Sequence, residues 1–278
     1  MARLRGWIFL LTLMLPNVGW AQFTSEYLGG EKSLLAETKQ VNQFFRRFNG
    51  EELPSGARMY PGRDSLYRDP HLREEYLAVL FDESNPSINS EWRRSFTNEV
   101  IYGDSARFLD FYGPDWFAEV NTTFSFYGRE YDMILFLKLE RAEVGVKWVI
   151  SHVYFEPFQD LFQSPVKEIR PAFIHPLSHE LDFMNLIKVF RNKEYLELYA
   201  EKTYKPDFLS LFLYESKRKN LEFRRVKKVK FHFFQVDGWY FELSEFNRPG
   251  MNRGWLISQI SQIPEGQKEV LLNFIYTR

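Results

Sequence analysis

The chain has 278 residues, with 36 Lys and Arg against 37 Asp and Glu, a formal net charge of −1 and no cysteine. Without thiols there are no disulfides, thiolate metal sites, cysteine nucleophiles or lipid-modified cysteine, and a near-neutral balance gives no bulk attraction to polyanions, so nucleic acid is not an expected partner. Aromatic residues make up 18% of the chain, enough for large cores or aromatic-lined cavities.

Residues 1–21 carry Arg3 and Arg5, an apolar run from Trp7 to Leu15, and Gly19 and Ala21 at the −3 and −1 positions before Gln22. The pattern predicts a secretory signal peptide cleaved after Ala21. The run is well short of the ~20 residues a bilayer span needs, and Pro16 and Asn17 interrupt it, so no transmembrane anchor is expected. An exported chain without disulfides fits a bacterial periplasmic or secreted protein better than a eukaryotic one.

After a tail over 22–32, Ser33 is placed as N-cap of a helix over 34–48, with Leu34, Thr38, Val41, Phe45 and Phe48 on one face and Asn49-Gly50 as its stop. Asp69 and Pro70 read as N-cap and first residue of a second helix, ended by Asn85-Pro86, with Leu72, Tyr76, Val79 and Leu80 facing inward. A third helix is expected near 91–97. Strands follow at 108–112, 117–127, 131–141 and 146–155, each bounded by Gly, Pro or charged turn residues.

The second half begins again with helices: 179–190 capped by Ser178, 194–202, and 207–217 after Lys205-Pro206. Strands are expected over 221–235, 239–246 and 254–263, with a last one at 269–276. Helices first and antiparallel strands after, twice over, make an α+β protein and not a βαβ alternation. The expected organisation is a first domain over 33–156, a linker over 157–177 containing Pro157, Pro165, Pro171 and Pro176, and a second domain over 178–278. Residues 124–153 and 231–260 align without a gap at an offset of 107, with 6 of 30 positions identical: Phe124/Phe231, Phe126/Phe233, Arg141/Arg248, Trp148/Trp255, Ile150/Ile257 and Ser151/Ser258. Internal similarity at a long period signals a repeated unit.

This doubled order of helices and strands resembles the nuclear transport factor 2-like (cystatin-like) fold. The resemblance implies two tandem units, each with N-terminal helices packed on a curved antiparallel sheet. The segments Phe44-Phe45-Arg46-Arg47-Phe48-Asn49-Gly50-Glu51-Glu52 and Tyr67-Arg68-Asp69-Pro70 resemble exported Bacteroidetes proteins that carry no assigned activity. Enzymes of the cystatin-like fold, such as ketosteroid isomerases and dehydratases, hold a carboxylate or histidine in the cone, so the resemblance raises proton transfer as an alternative activity. No residue here matches such a site, and no catalytic residue is assigned.

His152 is expected by strand alternation to share a face with Trp148, Ile150 and Tyr154, and its repeat counterpart is Gln259, so the copies do not share that chemistry. Trp148, His152, Tyr154 and Trp255 are the candidate ligand-binding residues of an aromatic surface. His175 and His179 have metal-ligand spacing for a helix, but Pro176 between them opposes a continuous helix, so neither a metal nor another cofactor is expected. The pairs Glu74-Glu75 and Asp82-Glu83 are expected to be solvated. Lys217, Arg218, Lys219, Arg224, Arg225, Lys227, Lys228 and Lys230 crowd into 14 residues opposed only by Glu222, and are candidates for contact with an anionic glycan or a lipid phosphate at a membrane surface. The function expected is an exported, non-enzymatic binding protein with a protein or small-molecule ligand. The alternatives are the proton-transfer enzyme and a structural component of an envelope assembly.

Overall fold

The computed structural model describes residues 40–53, 55–143, 145–162, 174–191, 196, 198–201, 203–249, 252–264 and 266–277. The expected signal peptide, the tail, Ser33, residues 163–173 of the linker and parts of the 194–202 helix lie outside the described residues. Helix α1 (Val41–Asn49) begins at an extended Gln40 (φ −69, ψ 149), so the continuous helix expected from Leu34 is broken there; periodicity does not register a single extended residue. At its other end the Gly50 N–H donates to the Arg47 carbonyl and the Glu51 N–H to the Arg46 carbonyl, a Schellman closure that needs Gly50 left-handed at φ 68. A Cβ on Gly50 would also lie 2.7 Å from the Arg73 Cγ. Gly50→Ala is therefore expected to lower stability by about 1–3 kcal/mol, read from urea unfolding. A change within ~0.5 kcal/mol, the range of an ordinary surface substitution, would show that the closure does not depend on glycine.

Helix α2 (Pro70–Leu80) starts as its sequence predicts, the Asp69 carboxylate accepting from the Leu72 N–H. Helix α3 (Ser90–Tyr102) is capped by Asn89 and runs past the expected 97. No strand forms at 108–112. The Asn49 side chain instead takes both the N–H and the carbonyl of Leu109, and Gln235 holds the N–H and the carbonyl of Asp110, so side chains consume the ladder bonds.

Strands β1 (Trp116–Phe126), β2 (Arg129–Ala142) and β3 (Gly145–Tyr154) form one antiparallel meander; β4 (Leu221–Phe233), β5 (Trp239–Phe246) and β6 (Gly254–Gln262) form another. The two join along β1 and β4 into a single antiparallel sheet of order β3-β2-β1-β4-β5-β6. Residues 38–278 make one compact unit, so the 157–177 segment does not separate two sheets. Between the meanders lie α4 (Glu156–Asp160), a 3-10 helix (Pro176–Leu181), α5 (Leu186–Arg191) and α6 (Phe208–Lys217). The single helix expected over 179–190 is split because Asp182 and Phe183 turn left-handed, and Ser178 lies inside the 3-10 turn, which His175 caps. Residues 269–276, expected as a strand, lie within α7 (Lys268–Thr277). Leu271, Leu272, Ile275 and Tyr276 recur at helical spacing and pack on the sheet, which overrides the β propensity of the segment.

The helices are exchanged between the meanders. Phe44, Phe45 and Phe48 of α1, Leu77 of α2 and Phe96 of α3 pack with Phe231, Phe233, Phe241, Leu243, Trp255 and Ile257, so helices that precede β1 cover β4–β6. Phe212 of α6, which precedes β4, packs with Phe124, Met133, Leu135 and Val153 of β1–β3. On the opposite face α7 meets Phe117, Phe136, Phe234 and Tyr240. The third strand of each meander carries a bulge at the same repeat position, with Ser151 and Ser258 as the extra residues. Their hydroxyls donate to the carbonyls of Phe136 (3.2 Å) and Glu242 (3.4 Å). At the seam Asn121 of β1 pairs with Lys228 of β4, its own counterpart at the offset of 107.

Candidate functional site: an arginine–aromatic cleft

The bulge at Ser151 reverses the alternation of β3, so the residues expected on one face are divided. Trp148 is 40% exposed on the helix side, against Trp116 (5.4 Å) and Phe231 (6.4 Å), and Phe231 in turn meets Trp255 (4.9 Å). Trp148 and Trp255 thus belong to one aromatic row, while His152 and Tyr154 lie on the α7 side. The His152 ring stacks on Tyr276 at 3.9 Å, near the surface. Partial burial and the Lys138 charge draw the His152 imidazole below its usual range, with Asp207 opposing. His152 and Trp148 therefore stand on opposite faces of the sheet.

His175 caps the 3-10 helix through Nδ1, and His179 bonds to the Pro176 carbonyl, so local backbone contacts occupy both rings. Among the described residues no group of three or more His, Asp or Glu is placed to hold a metal ion. Asp82, expected to be solvated, is buried and pairs with Arg248 at 2.8 Å. The basic run follows the end of α6 into β4. There Leu221–Val229 pairs with β1 alone, because β5 pairs only with Lys230–Phe233. Cations and register shifts at this free stretch are devices that stop a strand edge from pairing with another chain, and Lys227 and Arg224 are further tied to Asp132 and Glu222. No helix among the described residues is long and apolar enough to cross a membrane.

A recess of another kind lies elsewhere, a half-open cleft of about 540 Å³ at the end of α1. The Schellman turn at Gly50 projects Glu51 and Glu52 beside Arg46 and Arg47. Glu52 is fully buried, its two carboxylate oxygens taken by Arg46 (3.1 Å), Arg47 (2.8 Å) and Gln43 (2.7 Å). Glu51 receives Arg68 through Nε and Nη2 on one oxygen, at 2.9 and 2.6 Å. The far wall is the loop 108–112 with Phe108, Phe111 and Tyr112, and Arg58 stands on the rim. Arg68 and Arg73 both lie over the Phe108 ring, at 4.2 and 4.4 Å. Arg73 is buried with only carbonyl partners, those of Phe48 and Arg107; burial, aided by Arg68, pulls its guanidinium down to about 10, still a cation at neutral pH. The arrangement can take an anion: its guanidiniums outnumber its carboxylates, and its walls are aromatic planes. Arg46, Arg47 and Arg68 stand in segments whose sequence is informative, but Arg58 and the 108–112 wall reach the cleft only through tertiary packing.

A second polar cluster is closed. His232 Nε2 lies 2.8 Å from Glu119 and Nδ1 lies 2.8 Å from the Tyr240 hydroxyl, which itself donates to Glu242 (2.7 Å); Lys230 meets the other Glu242 oxygen at 3.0 Å. A hydrogen-bonded chain, Glu119–His232–Tyr240–Glu242, thus runs within the sheet face. Burial alone would raise the Glu242 carboxyl, but His232, Tyr240 and Lys230 together hold it below the usual carboxylate range. A depressed folded value means stability present above the unfolded glutamate range, about 4.3, and lost as pH falls through the folded value. Glu242→Gln is accordingly expected to flatten the acid limb of a stability-against-pH curve; an unchanged limb would remove Glu242 from acid unfolding.

No protein-family model, curated protein sequence or solved structure matches this chain.

Proposed function

We propose that the chain is an exported, non-enzymatic binding protein whose ligand enters the arginine–aromatic cleft. One contrast carries the reading: the acid–base cluster Glu119, His232, Tyr240 and Glu242 is sealed and mutually bonded in the sheet, while the open recess offers guanidiniums and aromatic planes and its carboxylates Glu51 and Asp110 already accept from Arg68 and the Tyr112 N–H. Catalysis needs its acid or base within reach of substrate; recognition needs convergent polar groups on a concave, partly apolar wall. Export rests on the basic and apolar pattern of the first 21 residues. The finer architecture, a duplicated cystatin-like unit, is supported by the bulges at Ser151 and Ser258 and by the Asn121–Lys228 pair; in this reading the copies pair edge to edge and exchange helices.

The test is affinity purification from a native envelope fraction, with mass spectrometry of both proteins and small molecules. A companion retained by the wild-type chain and lost from Arg58→Ala/Tyr112→Ala is the expected result. Identical companions on both chains would move the binding surface away from the cleft.

A further inference from the structure

Resting on the binding reading above, we infer that the cleft takes an organic monocarboxylate with a flat apolar body, of the aromatic carboxylate class. Charge is the first argument. Three guanidiniums (Arg46, Arg58, Arg68) line the cleft against Glu51 and Asp110, with the Arg47–Glu52 pair and Arg73, held on the Phe48 carbonyl, close by at the end of α1. Arg46 and Arg47 are spent on Glu52, and Arg68 on Glu51. Arg73 has carbonyl partners only. Arg58 makes no ion pair among the described residues and stacks on Tyr60 at 5.2 Å, its backbone fixed by a bridge to Glu52. The surplus cation is therefore concentrated at Arg58 on the rim, whose planar fork matches a carboxylate in two parallel hydrogen bonds.

Selection between anions is the second argument. Glu51 and Asp110 lie in the same walls, so a compact dianion such as phosphate meets two carboxylates as it enters, whereas a single carboxylate turned toward Arg58 leaves its apolar remainder against Phe108, Phe111 and Tyr112. Aromatic planes reward a flat body through stacking, a contribution that a small hydrated anion cannot collect. The volume of about 540 Å³ fits a small molecule of that shape.

The full chain is titrated calorimetrically with benzoate, its neutral isostere benzamide, and inorganic phosphate, and the series is repeated on Arg58→Ala. The expected result is benzoate binding at least about tenfold tighter than benzamide, the worth of one charge-assisted contact, tighter than phosphate, and weakened about tenfold in Arg58→Ala. Arg58→Lys, keeping charge without the fork, is expected to recover part of the affinity. Equal binding of benzoate and benzamide would overturn the carboxylate requirement, tighter binding of phosphate would make this an inorganic-anion site, and no loss in Arg58→Ala would put the ligand elsewhere. Absence of benzoate binding at millimolar concentration would overturn the ligand class. If the envelope companions still depend on Arg58 and Tyr112, the binding reading stands even then; if they do not, it falls separately.

Discussion

Replacing His232 by leucine is expected to destabilise the protein by about 1–3 kcal/mol or more, the cost of breaking the buried hydrogen bonds on either side of the ring. Glu119 is 1% exposed, and His232 reaches its carboxylate at 2.8 Å. Without the ring the contacts of His232 to the Glu119 carboxylate and the Tyr240 hydroxyl are lost, while Glu119 keeps the Asn121 amide (3.0 Å). The double substitution Glu119→Leu/His232→Leu removes both polar partners and leaves apolar groups between Phe117 and Phe136, so it is expected to recover most of the loss, as replacing both members of a buried pair often does. Urea unfolding of wild type, both single variants and the double closes the cycle. A His232→Leu loss below about 1 kcal/mol, the scale of an exposed pair, would show that the cluster is hydrated and not sealed.

Phe241→Ala is expected to cost about 3–5 kcal/mol and to loosen both meanders together. Phe241 is fully buried at the crossing of the helix layer and β5, stacked on Phe233 at 4.8 Å and on Phe48 at 6.2 Å, with Phe96 edge-on at 5.7 Å. Deleting its ring opens a cavity between helices that precede β1 and strands that follow α6, which close-packed neighbours fill only in part. Because β1 and β4 pair along their lengths and each helix layer covers the opposite meander, no half has a core of its own. Amide exchange is therefore expected to rise in β2 as well as in β6. Protection kept in β2 while β6 exchanges freely would instead show two units that open separately.

Much of the local structure was legible because it is decided within a few residues. Asp69-Pro70 starts α2 since a carboxylate reaches the Leu72 N–H and proline gives up no helix bond; Asn49-Gly50 ends α1 since only glycine turns left-handed there without a Cβ meeting Arg73. The limits of β5 came out at 239–246 because Gly238 and the charged turn beyond Phe246 bound an alternating run. The errors are equally physical. Residues 269–276 carry strand-forming residue types, yet their apolar positions recur at helical spacing, and a sheet face lay open to receive them. Strict alternation puts His152 on the face of Trp148, but one extra residue, Ser151, shifts the period of two and turns His152 to the opposite face.

The candidate site follows the same division. The polar alternation of Lys230, His232, Tyr240 and Glu242 is visible along β4 and β5, but Glu119, which the His232 ring meets at 2.8 Å, arrives from a strand 113 residues away. The arginines and glutamates around Gly50 can be read directly, whereas the wall opposite them depends on Asn49 and Gln235 fixing a loop that its own residues favour as a strand. By itself, then, the sequence determined the α+β class, most helix and strand positions and the polar segment that borders the cleft. Only the tertiary structure decided that both meanders share one sheet, that the helices preceding each meander pack on the other and that one set of ionisable groups is sealed while another stays open. Local steric and hydrogen-bond preferences act over one turn or one hairpin, while sheet order and burial are chosen by which distant faces fit well enough to repay the entropy of closing the chain between them.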